Sequence, residues 1–254
     1  MASIIDACNE SFNDKLSYLK FFIYGIPVYF CANFYLKGQM DYFYVLSVFT
    51  FFLLMGLLAQ GIFNIRSNSK EILTFNPLKI IFSIIKLIIV MGPQLLLYYW
   101  LGNLITGKIK IPVEIPHINE IFAVIVWLIF CSMALTSFLA FSKNLSIKDG
   151  FDIRTIFVSS IDVLLVCLFA IPQFAIVGAI FVGPVAYLFW FFKLSFTHWG
   201  FVAYCSVCAV AGISIIANYM AQVAYEQIKS FRFEDSNDHV IGSLLEKMDT
   251  ERHL

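Results

Sequence analysis

Two ionisable side chains sit inside long apolar runs. Lys86 lies in the run from about Leu78 to Leu101, and Asp162 in the run from Ile156 to Phe192. A charged group in hydrocarbon is expensive, so it pairs, reaches for the headgroups or takes part in function. Lys86 follows Lys79 by seven residues and Asp162 follows Arg154 by eight. That spacing places them at similar depth in corresponding helices, where an ion pair between helices is one expectation. Asp162 alone would be a proton- or cation-responsive carboxyl. The plainer reading is that each lies about two turns in and reaches the headgroups, which a lysine does easily. Gln94 and Gln173 each follow a proline, Pro93 and Pro172, and bring amides to backbone that a proline leaves unpaired. Lys86, Asp162, Gln94 and Gln173 form the candidate intramembrane polar site. Helix breaks are expected at Pro27, Pro93, Pro172 and Pro184. Such breaks line binding sites in transporters and elsewhere kink helices so that a bundle packs.

No other constellation offers chemistry. His117, His198, His239 and His253 are scattered through loops and tail without HxxxH or HExxH spacing. No nucleophile elbow, Walker loop or Rossmann glycine pattern is present. Cys205-Ser-Val-Cys208 has CxxC spacing, but it lies inside an apolar run with no second pair, so its thiols read as packing. No catalytic residue, cofactor or metal is expected. A formal net charge of +0 and the lack of a basic block give no electrostatic case for nucleic acid.

The elements that position these residues are membrane helices. Hydrophobic residues make up 60% of the 254 and charged residues 13%, far from the roughly 45–50% and about 25% of soluble domains. Mean hydropathy is +0.83. Several apolar runs approach or exceed the roughly 20 residues that cross about 30 Å of hydrocarbon. No cleavable signal is visible before the first run, so insertion through the first span is expected.

Ala2 to Asp14 reads as an amphipathic helix on the membrane surface, with Ile4, Ile5, Cys8 and Phe12 on its apolar side. Ser11-Phe-Asn-Asp14 resembles a capping box. Spans follow at about 16–36, 42–65, 78–101 and 121–141, and the last at 200–225. Asn76-Pro77 is a strong helix start. Gly102 to Glu120 reads as a loop, with Lys108 to Pro116 extended. The stretch from 156 to 192 would be about 55 Å as one helix, far longer than one straight crossing, so it is either a tight hairpin of two short spans or a crossing helix with a re-entrant or interfacial piece. Val240 to Met248 reads as a short amphipathic helix in the charged tail.

Helix openings recur as Lys15 to Pro27, Lys79 to Pro93 and Arg154 to Pro172. Helix ends echo as Ala59-Gln60 with Phe63-Asn64, and Ala221-Gln222 with Tyr225-Glu226. The fold class is therefore an all-α polytopic bundle of about six spans in three helical hairpins, at 1–72, 73–146 and 147–228. The whole forms one transmembrane domain, 1–228, with interfacial amphipathic segments and a tail at 229–254. Lys15, Lys20, Arg66, Lys70, Lys79, Lys143, Lys148, Arg154 and the tail's basic residues fall on one side. Only Lys37, Lys108, Lys110 and Lys193 fall on the other. That bias places both termini in the cytoplasm.

Gly61-Ile-Phe-Asn-Ile-Arg66 leading into Leu73 to Leu78, Ile147-Lys-Asp-Gly-Phe-Asp152, Gly183-Pro-Val-Ala-Tyr187 and Ala221-Gln-Val-Ala-Tyr225 carry a resemblance. The chain resembles a family of uncharacterised bacterial and archaeal multipass membrane proteins, loosely related to the membrane domain of some glycerophosphodiester phosphodiesterases. The resemblance implies an integral membrane protein of about six helices and brings no site residues. The phosphodiesterase catalytic domain has no counterpart in this sequence.

The leading expectation is a non-enzymatic structural or accessory component of the inner or plasma membrane. It would bind lipids, a partner membrane protein or a second copy of itself. The alternative is a small transporter or permease subunit using proline-broken helices and Lys86/Asp162. A lipid-modifying enzyme is the third and weakest.

Overall fold

A computed structural model describes residues 3–14, 16–67, 69, 71–108 and 117–228. Their regular structure is entirely helical: α1 (Ile4–Asn13), α2 (Ser17–Leu36), α3 (Met40–Arg66), α4 (Pro77–Lys108), α5 (Ile118–Asn144), α6 (Ile147–Gly150), α7 (Ile153–Phe191) and α8 (Trp199–Gln227). Six of these helices, α2, α3, α4, α5, α7 and α8, are long and apolar enough to cross a membrane. The protein is thus an all-α multipass membrane protein. The physical reason is general: with no water to satisfy backbone groups, only a helix or a closed barrel spans hydrocarbon.

Local signals set several helix starts. The Asn76 side chain accepts from the Leu78 and Lys79 amides at 3.1 and 3.3 Å and opens α4. Asp152 does the same for α7, accepting from Arg154 at 3.1 Å and Thr155 at 3.4 Å. Gly38, at φ +70, lets α2 reverse into α3 within a few residues.

Several expectations change. Pro27, Pro93, Pro172 and Pro184 sit inside continuous helices rather than ending them. Membrane helices tolerate proline because neighbouring groups re-satisfy the freed carbonyls. The stretch expected to break lies in one continuous helix of 39 residues, Ile153–Phe191. Helix α4 runs on through Gly102 to Lys108, shortening the expected loop. There the Trp127 indole lies where a Cβ on Gly102 would be, at 2.9 Å. The extended stretch at 109–116, Lys15, Lys70 and the tail at 229–254 with its expected helix lie outside the described residues.

The capping box is not formed either. Ser11 lies within α1, and Asp14 is the C-cap of that helix. The surface helix is a helix, but its buried side is Ala7, Ser11 and Asp14, while Ile5 is exposed.

The chain divides into two compact units, Met1–Ile84 with Phe169–Gln222, and Ile85–Leu168 with Val223–Leu254. In the first, small residues bring helices close. A Cβ on Gly61 would meet Ala217 Cβ at 2.9 Å, and one on Gly25 would lie 3.4 Å from the Ser206 backbone. Close backbone approach at small residues is how membrane helices gain packing without a hydrophobic drive between them. In the second unit, Tyr98, Met133, Ala134 and Ile156 form a buried cluster.

Candidate functional site

The most buried charge in the described structure lies in the first unit, where α1 gives way to α2. Leu16 adopts a left-handed conformation, φ 58°, and separates the two helices. In an unbroken helix residues six apart face different sides. The break instead brings Asp14 and Lys20 together. Lys20 Nζ donates to Asp14 Oδ2 at 3.0 Å and Oδ1 at 3.2 Å, and both side chains are fully buried. Glu71 Oε2 stands 3.8 Å from the same ammonium. The Phe75 ring lies 5.5 Å from it, within cation–π range.

This pair also holds an irregular piece of backbone. Residues 72–74 are buried without helical pairing, so their polar groups need partners. The Leu73 amide donates to Asp14 Oδ2 at 3.4 Å. The Ile72 carbonyl accepts from Asn64 Nδ2 at 3.0 Å. The Tyr24 hydroxyl donates to the Thr74 carbonyl at 2.5 Å. Behind Asn64 runs a buried chain: Ser83 donates to Gln60 Oε1, and Gln60 Nε2 to Asn64 Oδ1, both at 2.9 Å.

The echoed residues Gln60 and Asn64 of α3 pair with each other, whereas in α8 the echoed Gln222 pairs one turn back, its Nε2 donating to Asn218 Oδ1 at 2.8 Å. Gln222 Oε1 accepts from the Ser3 amide at 2.7 Å, and Asn218 donates to Glu10. Helix α1 is tied to α8 by these contacts.

The residues expected to form a polar site are placed differently. Lys86 Nζ donates to the Leu145 carbonyl at 3.1 Å. Leu145 is the left-handed cap of α5, φ 50°, so Lys86 satisfies a helix-end carbonyl. Two turns along α4, buried Gln94 donates to the Gly150 carbonyl at 2.7 Å, which also accepts from Ser137 at 2.6 Å. Between them Val90 abuts Gly150, with a Cβ there only 2.5 Å from Val90 Cγ1. Lys86 thus holds the end of α5, and Val90 and Gln94 the end of α6. Asp162 and Gln173 are exposed on α7. No Lys86–Asp162 ion pair occurs among the described residues.

Ile156, six residues before Asp162, is buried with Tyr98 of α4 and Met133 and Ala134 of α5. Asp162 lies about 9 Å beyond that cluster, away from the polar opening of α7 at Asp152.

By its sequence position Lys20 is simply one of the cations expected on the cytoplasmic side. Its pairing was hidden because it depends on a left-handed leucine that no local motif announces. The one signal was a carboxylate and a lysine flanking an abrupt change from amphipathic to apolar sequence.

The cavities described in the second and first units are apolar. One of about 460 Å³ is lined by residues including Leu95, Tyr99, Trp127 and Phe130. The other, about 340 Å³, lies between α7 and α8. No group of three or more metal-ligating side chains occurs among the described residues. No protein family, curated protein or solved structure matches this chain.

Proposed function

We propose that the protein is a non-enzymatic accessory component of a cell membrane that works by docking, with α7 as its docking element. One observation carries this reading. Helix α7 is the most apolar of the six spans and the least packed: 11% of its most apolar stretch is buried, against 39% in α3, α5 and α8. Its exposed side carries Asp162. A carboxylate facing lipid, here at the tenth of the 39 residues of α7, costs up to about 2.5–3.5 kcal/mol on insertion scales, the value at a span centre. A partner span bearing a basic or amide group opposite Asp162 offsets that cost. Both termini face the cytoplasm in this reading, on the bias of Lys and Arg.

Photocrosslinkers at Ile161 and Leu165, in native membranes, test it. Discrete protein adducts are expected, lost on Asp162→Leu. Labelling of lipid alone would overturn the reading.

A second reading, transport of a small solute, is favoured by the Asp14–Lys20 pair. A buried acid–base pair at a break between helices is a feature of transporter sites. Reconstituted vesicles with a pH-sensitive dye inside would show a proton flux abolished in Asp14→Asn. No flux in the wild-type protein would rule proton coupling out.

A further inference from the structure

We propose that the cleft between α7 and α8 in the first unit binds the hydrocarbon tail of a membrane lipid. The cavity measures about 340 Å³, within the range of ligand pockets, roughly 300–1,000 Å³. It is built from two matching stripes. On α7 the stripe is Phe174, Gly178 and Phe181, and on α8 it is Cys208, Gly212 and Ile215. Each stripe has spacing i, i+4, i+7, so its members share one face, and each has glycine at its centre.

The glycines make the space. Gly61 and Gly25 are occupied by close neighbours, but a Cβ on Gly178 or Gly212 would meet nothing within 4 Å. Packing therefore does not require glycine at either position. The walls are held open by rings outside the cleft. Phe174 stands edge-on to Tyr219 with centroids 5.3 Å apart, and Phe181 lies 5.4 Å from Phe12. Neither phenylalanine can fold inward without losing its aromatic neighbour.

The chemistry of the lining selects the ligand. Apart from the thiols of Cys205 and Cys208, every lining side chain is hydrocarbon or glycine. The Tyr204 hydroxyl on α8 is already used on the Phe181 carbonyl at 2.6 Å. Nothing here can orient a headgroup. The cleft lies wholly within two spans, where the available apolar matter is lipid tails. Each stripe runs two turns, about 10 Å along its helix, a length that suits an extended chain. This inference does not depend on what α7 docks against, since it uses the side of α7 that meets α8.

The test is photolabelling in nanodiscs with two diazirine-tailed probes, a straight-chain acyl phospholipid and an isoprenoid alcohol. Labelled peptides are mapped by mass spectrometry. Wild-type protein is expected to be labelled at Phe174–Phe181 and Cys205–Ile216 at least tenfold above the exposed residues Phe157 and Phe169. The probe that does so identifies the tail as acyl or isoprenoid. Gly178→Leu with Gly212→Leu fills the space and should return cleft labelling to that background while leaving Phe157 and Phe169 unchanged. Leucine favours helix more than glycine, so the filled protein should fold. Gly178→Ala, which adds one carbon, should give an intermediate loss. Cleft labelling equal to background with both probes, or unchanged by filling, would overturn the proposal.

Discussion

Asp14 and Lys20 form a fully buried ion pair across the break between α1 and α2, with Nζ 3.0 and 3.2 Å from the two carboxylate oxygens. The carboxylate also accepts from the Leu73 amide. One acidic side chain thus fixes both the second helix and the irregular segment packed against it.

Removing one partner should be far worse than removing both. A buried charge without its counter-charge typically costs about 3–5 kcal/mol, whereas exchanging a whole pair for apolar groups is often near neutral. Lys20→Met and Asp14→Leu should each destabilise by that amount, and the double variant by much less. Thermal unfolding in nanodiscs measures the cycle. Additive losses would contradict the pairing.

Lys86 and Asp162 should be independent. Lys86 serves the Leu145 carbonyl, and no contact joins it to Asp162 among the described residues. Lys86→Met and Asp162→Asn should therefore add to within about 0.5 kcal/mol. A coupling above about 1 kcal/mol would restore the ion pair expected from their spacing.

Gly150 should tolerate no side chain. Alanine there would collide with Val90 Cγ1 at 2.5 Å and Phe141 Cβ at 3.2 Å. Such overpacking costs about 1–3 kcal/mol and would also disturb the carbonyl held by Gln94 and Ser137. Gly92→Ala, with open space around it, is the control and should be neutral or stabilising.

The start of α7 should loosen in acid. The Thr155 hydroxyl and the Thr155 and Arg154 amides hold the Asp152 carboxyl below its usual range, against a smaller opposing effect of burial. A carboxyl lowered in the folded state contributes stability that is present above its ordinary range and is lost as pH falls through the lowered value. Hydrogen exchange at Thr155 should accelerate over that window. Asp152→Asn should keep the cap and lose the pH dependence; Asp152→Ala should cost about 1 kcal/mol near neutral pH and less in acid.

The spans were legible in the sequence because length and apolar content are what a bilayer demands. Observed helix ends at Leu36, Arg66 and Gln227 fall within a few residues of those read from composition. The prolines misled because membrane surroundings repair what a proline breaks, while the actual break at Leu16 carries no proline or glycine. Gln94 reads as an amide serving backbone beside Pro93, but the carbonyl it meets, on Gly150, is 56 residues away and depends on tertiary packing. Lys20 and Glu71 come together for the same reason.

The most direct test of the docking reading is native mass spectrometry of the protein released from nanodiscs formed from its own membrane. A stoichiometric protein partner, or a second copy, should be bound and should be lost on Asp162→Leu. A monomer carrying only lipid, with the same mass in wild type and variant, would contradict it.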